Sequence, residues 1–77
     1  MSEEGSEKRS QRLVAYNVRR LRRERDLSQH ELAIEADITR AYIGRLETKG
    51  QNLTLDTIDA LADALGVHPQ ELFRPME

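Results

Sequence analysis

Between Gln11 and Arg25 the apolar residues Val14, Val18 and Leu21 recur every three or four positions, which predicts an amphipathic helix. Its opposite face is almost entirely arginine. Downstream, one local pattern returns four times. Ser28 opens a Ser-Gln-His-Glu run in which the Ser28 hydroxyl and the Glu31 carboxylate can each accept from the other's backbone N–H. Leu27 and Leu32 flank that cap as an apolar staple. The arrangement repeats around Thr39 with Ile38 and Ile43, around Thr54 with Leu53 and Ile58, and around His68, a weaker cap, with Val67 and Leu72. Helices are therefore expected to start near positions 28, 39, 54 and 68.

The stops are equally local. Gly66 suits a left-handed helix terminus, Gly50 lies just past the third helix, Pro69 fits a first helical turn, and Pro75 closes the fifth helix. No stretch alternates apolar with polar residues, so no strand is expected. The prediction is an all-α chain of five short helices over residues 11–74. A disordered, charged tail covers 1–10 and a short tail 75–77. Leu32, Ala36, Ile38, Ile43 and Leu46 are assigned to the core with Leu55, Leu61, Leu65, Leu72 and Phe73. The last two helices are short enough that some of this apolar surface is expected to stay exposed.

Only Asp37 and Ile38 separate the second helix from the Thr39 cap. So short a connection forces two helices to cross steeply, the geometry of a helix-turn-helix. Ala33 is small where the helices approach, and Asp37 falls where the turn needs a left-handed residue.

With 77 residues the chain fits one small domain, whose core is too limited to enclose a deep pocket. It has no cysteine, which excludes disulfides, thiolate catalysis and cysteine-ligated zinc. His30 and His68 are too few and too far apart to suggest a metal site, and no nucleophile–base pair is evident. No cofactor or small-molecule ligand is expected. No apolar run is long enough to span a membrane, and the first ten residues lack the apolar core of a signal peptide. The expectation is a soluble, cytoplasmic surface-binding module rather than an enzyme.

The net charge of −2 hides a polarised distribution. Residues 1–50 carry eleven Lys and Arg against nine Asp and Glu, whereas residues 51–77 carry one against five. Eight of the basic residues crowd positions 8–25: Lys8, Arg9, Arg12, Arg19, Arg20, Arg22, Arg23 and Arg25. A basic front permits a DNA-facing side. Asp56, Asp59 and Asp63 form a carboxylate stripe on the fourth helix, read as a solvated face rather than a metal site.

Three motifs then combine: V-x-x-L-R-x-x-x-x-L-S-Q-x-E-L-A from Val18, I-T-x-x-Y-I-x-x-L-E from Ile38, and A-L-G-V-x-P-x-x-L-F ending at Phe73. Together they resemble the Cro/CI-like (XRE) helix-turn-helix family over about Val14 to Phe73. The stretch R-A-Y-I-G-R-L-E followed by N-L-T-L resembles, more narrowly, controller proteins of restriction–modification systems. Ala41 and Gln51 depart from the Thr and Arg common there, and Asp37 and Lys49 from the usual Gly or Asn.

The resemblance implies a compact five-helix, lambda-repressor-like domain that acts as a dimeric, sequence-specific transcriptional regulator on double-stranded operator DNA. It places the third helix in the major groove with Arg40, Ala41, Gly44 and Arg45 toward base edges, Arg40 and Arg45 being suited to bidentate recognition of guanine. It places Gln29, Thr39, Thr48, Lys49, Gln51 and Asn52 at phosphates or flanking positions. Tyr42 has two readings, a DNA contact or a filler beside the first helix, and Gly44 is either a point of close approach to DNA or a tolerated drift. Arg22 and Glu47 are implied to form a structural pair. The other arginines of the first helix are read as a solvated basic face, with contact to flanking DNA as the alternative. A competing class is an antitoxin-like, protein-binding module of the same fold.

Overall fold

The computed structural model describes residues 3–76, with side chains from residue 9 onward; Met1, Ser2 and Glu77, at the ends of the two expected tails, lie outside them. Four α-helices follow one another: α1 (Glu3–Glu24), α2 (Gln29–Ala36), α3 (Arg40–Lys49) and α4 (Leu55–Leu65). A 3-10 helix (Pro69–Phe73) completes the chain. Among the described residues there is no strand. The element order is that of the expected all-α fold, with two corrections.

The first concerns the tail expected over 1–10, because α1 is already helical from Glu3. Extending a helix that packing has nucleated adds one hydrogen bond per residue fixed, so a polar sequence without proline can continue it. The second concerns the fifth helix, which is 3-10 rather than α. It holds five residues and begins with Pro69 in its first turn, and His68 is its N-cap by position and extended backbone, without a side-chain hydrogen bond. A segment this short, stopped by Pro75, leaves little room for α-type bonding.

The other starts rest on side-chain caps. The Ser28 hydroxyl accepts from the Glu31 N–H at 2.9 Å while the Glu31 carboxylate accepts from the Ser28 N–H at 2.8 Å. Thr39 accepts from the Tyr42 N–H and Thr54 from the Thr57 N–H, each at 3.1 Å. Each cap supplies an acceptor for a backbone donor that the first turn leaves unpaired, and is worth about 1 kcal/mol.

Val14, Val18 and Leu21 of α1, Leu32 and Ala33 of α2, Ile43 and Leu46 of α3, Ile58, Leu61 and Leu65 of α4, and Leu72 form one buried cluster. The staple residues Leu27, Ile38, Leu53 and Val67 pack against its edge, tying each helix entry to the core. Of the residues expected to serve the core, Leu55 and Phe73 are 81% and 45% exposed and are the apolar surface that the short last helices leave uncovered. Leu55 is the first residue of α4. Gly50 ends α3 at φ 82°, and a Cβ there would lie 3.0 Å from Cβ of Gln11. The close passage of α1 over the end of α3 thus requires glycine twice, for its φ and for its missing side chain.

Candidate nucleic-acid interface

The two-residue connection after α2 works through backbone chirality. Asp37 adopts φ 57°, ψ 47°, and the Ile38 N–H returns to the Ala33 carbonyl at 2.9 Å. This is a Schellman-like stop, which reverses the chain at once and lets Thr39 begin α3. Asp26, after α1, is likewise left-handed at φ 55°. Nothing in the composition flagged Asp26, although Asp is among the few residues that visit this region. Lys49 is the last helical residue of α3. The positive φ falls on Gly50 instead.

Ile43 and Leu46 anchor α3 to the core, and the helical period then fixes what faces outward. Arg40, Ala41, Arg45, Thr48 and Lys49 are exposed, and Gly44 is half-exposed between them. Thr39 stands exposed at the head of the row. A Cβ added at Gly44 would meet only Oε1 of Gln29, at 3.8 Å, so internal packing does not demand glycine. Tyr42 is half-buried and packs against the core cluster at the edge of this row. Burial raises its phenol pKa above the usual value, opposed by the nearby Arg45 cation, so the hydroxyl stays a proton donor at neutral pH.

Beneath the row lies a charged network joining three helices. Arg22 of α1 grips Glu47 of α3 with both arms of its fork, Nε to Oε2 at 2.7 Å and an Nη to Oε1 at 2.9 Å. Its remaining Nη donates to the Leu27 carbonyl at 2.7 Å. The side chains are only 12% and 3% exposed, and the hydrogen bond to Glu47 raises the Arg22 pKa against the opposing effect of burial. Gln29, at the start of α2, also donates through Nε2 to Glu47 Oε1, at 3.1 Å. One of its two amide hydrogens is therefore committed inside the protein and one is left for an external acceptor. The network fixes α2 and α3 relative to α1, so the outward row is presented by a rigid pair of helices.

Sequence reasoning missed Asn17, which is fully buried. Its amide nitrogen donates to the carbonyls of Leu13, Leu72 and Arg74 at 2.8–3.0 Å, and its Oδ1 accepts from Arg20. Asn17 thereby fastens the C-terminal segment to α1. The available signal was its position on the same stripe as Val14 and Leu21, where a polar residue must find partners.

The expected DNA-facing residues do not form one cluster. Gln29 and Thr48 share a recess with Arg22 and Glu47, and Thr39 and Arg40 border another with His30 and Ile34. Gln51 and Asn52 border a third, at the far end of α3, whose walls include Leu53, Leu55, Ile58 and Phe73. Asp56, Asp59 and Asp63 are exposed, and no metal-binding group of His, Cys, Asp or Glu occurs among the described residues. No described helix is long and apolar enough to cross a membrane.

A helix-turn-helix family model matches residues 18–72. The chain is 39% identical over 61 residues to the control protein C.BamHI of Bacillus amyloliquefaciens, covering 78% of this chain and 75% of that one. It is 42% identical over 60 residues to the control protein C.SmaI of Serratia marcescens, covering 78% and 71%. Among solved structures, the restriction-modification controller protein C.AhdI from Aeromonas hydrophila superposes with a TM-score of 0.76 at 37% identity, covering 80% of this chain and 94% of that one.

Proposed function

The chain belongs to the helix-turn-helix family and is a DNA-binding transcriptional regulator, and from that premise we propose that it reads a two-fold operator as a homodimer, α3 of each protomer entering the major groove of one half-site. The observation that carries this reading is the exposed outward row of α3, borne on a helix whose other side is locked into the core. Arg40 and Arg45 read base edges through their guanidinium forks, and Ala41 and Gly44 between them keep the helix surface low enough for close approach. Gln29, Thr39, Tyr42, Thr48, Lys49, Gln51 and Asn52 meet phosphates or flanking positions and set the register. The activity is binding, with no bond made or broken.

Dimerisation is assigned to the α4 end. Leu55 and Phe73 together line an open recess there, and both leave apolar surface in water that a second copy would cover. Two protomers so joined would address half-sites about 34 Å apart, one turn of DNA. The likeness to three named control proteins supports a role as a restriction–modification controller, acting in the cytoplasm at the nucleoid.

Selection of bound duplexes from a random pool, with sedimentation of the recovered complexes, tests the proposal. It expects a two-fold consensus with half-sites one turn apart and two protomers per duplex. Recovery of unselected sequence, or of a strict monomer free and on DNA, overturns it.

A further inference from the structure

The structure sorts the arginines of α1 by what they touch. Arg20 is held by Asn17 Oδ1 and Glu24, and Arg22 by Glu47 and the Leu27 carbonyl. Arg25 donates to the Leu21 carbonyl and lies 3.8 Å from Glu24. Arg19 and Arg23 differ from these. Both are exposed, and neither pairs with a carboxylate among the described residues.

Four residues apart on one helix, they point to the same side of α1. There they border an open recess of about 390 Å³ whose other walls are Arg22, Gln29, Glu47 and Thr48. The recess thus lies against the first residue of α2 and the last turn of α3, beside the outward row. Three arginines and one glutamate line it, and that carboxylate is already engaged by Arg22 and Gln29. Two positive charges are left over in a concave site, where field lines concentrate. The Ser28 cap takes the Glu31 N–H and leaves those of Gln29 and His30 without a helical acceptor, so the positive end of α2 faces the same region.

We propose that Arg19 and Arg23, with the second amide hydrogen of Gln29, form a cradle for a DNA backbone phosphate beside the groove that α3 enters. This rests on the DNA-reading role of α3 proposed above. Guanidinium forks match the geometry of phosphate oxygens, and like charges one helical turn apart are relieved when an anion lies between them. The cradle adds affinity without sequence preference. It also gives part of the basic face of α1 the second of its two readings, contact with flanking DNA, in place of a solvated surface.

The test is a salt titration of the full chain on a mixed-sequence duplex, which needs no knowledge of the operator. Arg19→Ala and Arg23→Ala should each flatten the plot of log K against log salt by about 0.9 per bound protomer, the signature of one lost phosphate contact. Melting temperatures should stay at the wild-type value, since both side chains are exposed. Arg74→Ala removes the same charge from an exposed side chain outside the recess, and its slope should match wild type. If wild type binds with a salt-dependent slope and Arg19→Ala and Arg23→Ala keep that slope, the cradle is overturned while the role of α3 stands. Equal flattening in all three variants overturns the cradle too, because net charge alone then accounts for the effect. Absence of salt-dependent binding by wild type overturns both readings.

Discussion

Glu47→Ala is expected to be the most damaging single truncation in the charged network. Glu47 is 3% exposed and accepts three hydrogen bonds, two from Arg22 and one from Gln29. Removing it leaves Arg22, itself 12% exposed, with only the Leu27 carbonyl as partner. Breaking a buried ion pair from one side costs about 3–5 kcal/mol, because the surviving charge keeps its desolvation penalty without compensation. The residual exposure of Arg22 admits some water, which points to the lower end, about 3 kcal/mol. For a domain of this size each kcal/mol lowers the melting temperature by roughly 4–8 °C, so a drop on the order of 10–25 °C is expected in far-UV circular dichroism melts. Replacing both partners together, Arg22→Met with Glu47→Leu, removes the stranded charge and should recover most of the loss. A loss below about 1 kcal/mol for Glu47→Ala would refute this reasoning, since that is the behaviour of an exposed surface pair.

Four further outcomes follow from the geometry. Asn17→Ala, which strips the tethers to Leu72 and Arg74, should cost about 2 kcal/mol and raise hydrogen exchange over residues 69–74; unchanged exchange there would show the tether to be idle. Gly50→Ala should destabilise by about 1–3 kcal/mol through its left-handed φ and its crowding of Gln11, whereas a neutral result in urea titration would contradict the close packing. Hydrogen bonds from Ser28 hold the Glu31 carboxyl below the usual carboxylate range, so folding favours its ionised form. That contribution is complete above the unfolded value of about 4.3 and is lost as pH falls through the lowered folded value. Glu31→Gln, which can still accept from the Ser28 N–H, should therefore flatten the acid limb of the stability profile. Arg45→Ala should cost about 1–3 kcal/mol on the selected operator and relax preference at one base pair, whereas Lys49→Ala should weaken all duplexes alike; equal weakening by Arg45→Ala would move Arg45 to the backbone.

Much of the architecture was legible because its determinants act within four or five residues. A hydroxyl at Ser28, Thr39 or Thr54 meets an N–H three positions on, and Asp37 and Gly66 turn the chain through their own φ. The alternation of Ile43 and Leu46 with Arg40, Ala41 and Arg45 sets the outward face of α3 by helical period alone. Where a local signal was weak, as at His68, the final helix starts where expected but is 3-10 rather than α and lacks a side-chain cap bond.

Contacts between distant residues were decided by the packing. Asn17 meets Leu72 across 55 positions, Gln29 meets Glu47 across 18, and Gln11 closes on Gly50 only after α1 has docked. From the sequence, eight basic residues at positions 8–25 form one undifferentiated charge run. Folding separates them, because a guanidinium becomes committed only when an acceptor is brought within about 3 Å of it. Arg22 and Arg20 find such acceptors and, among the described residues, Arg19 and Arg23 do not. Local chemistry therefore determined where each helix begins and ends and which face of α3 is outermost. The tertiary arrangement decided which charges stay available to a partner, because availability depends on neighbours that the chain brings together only when it folds.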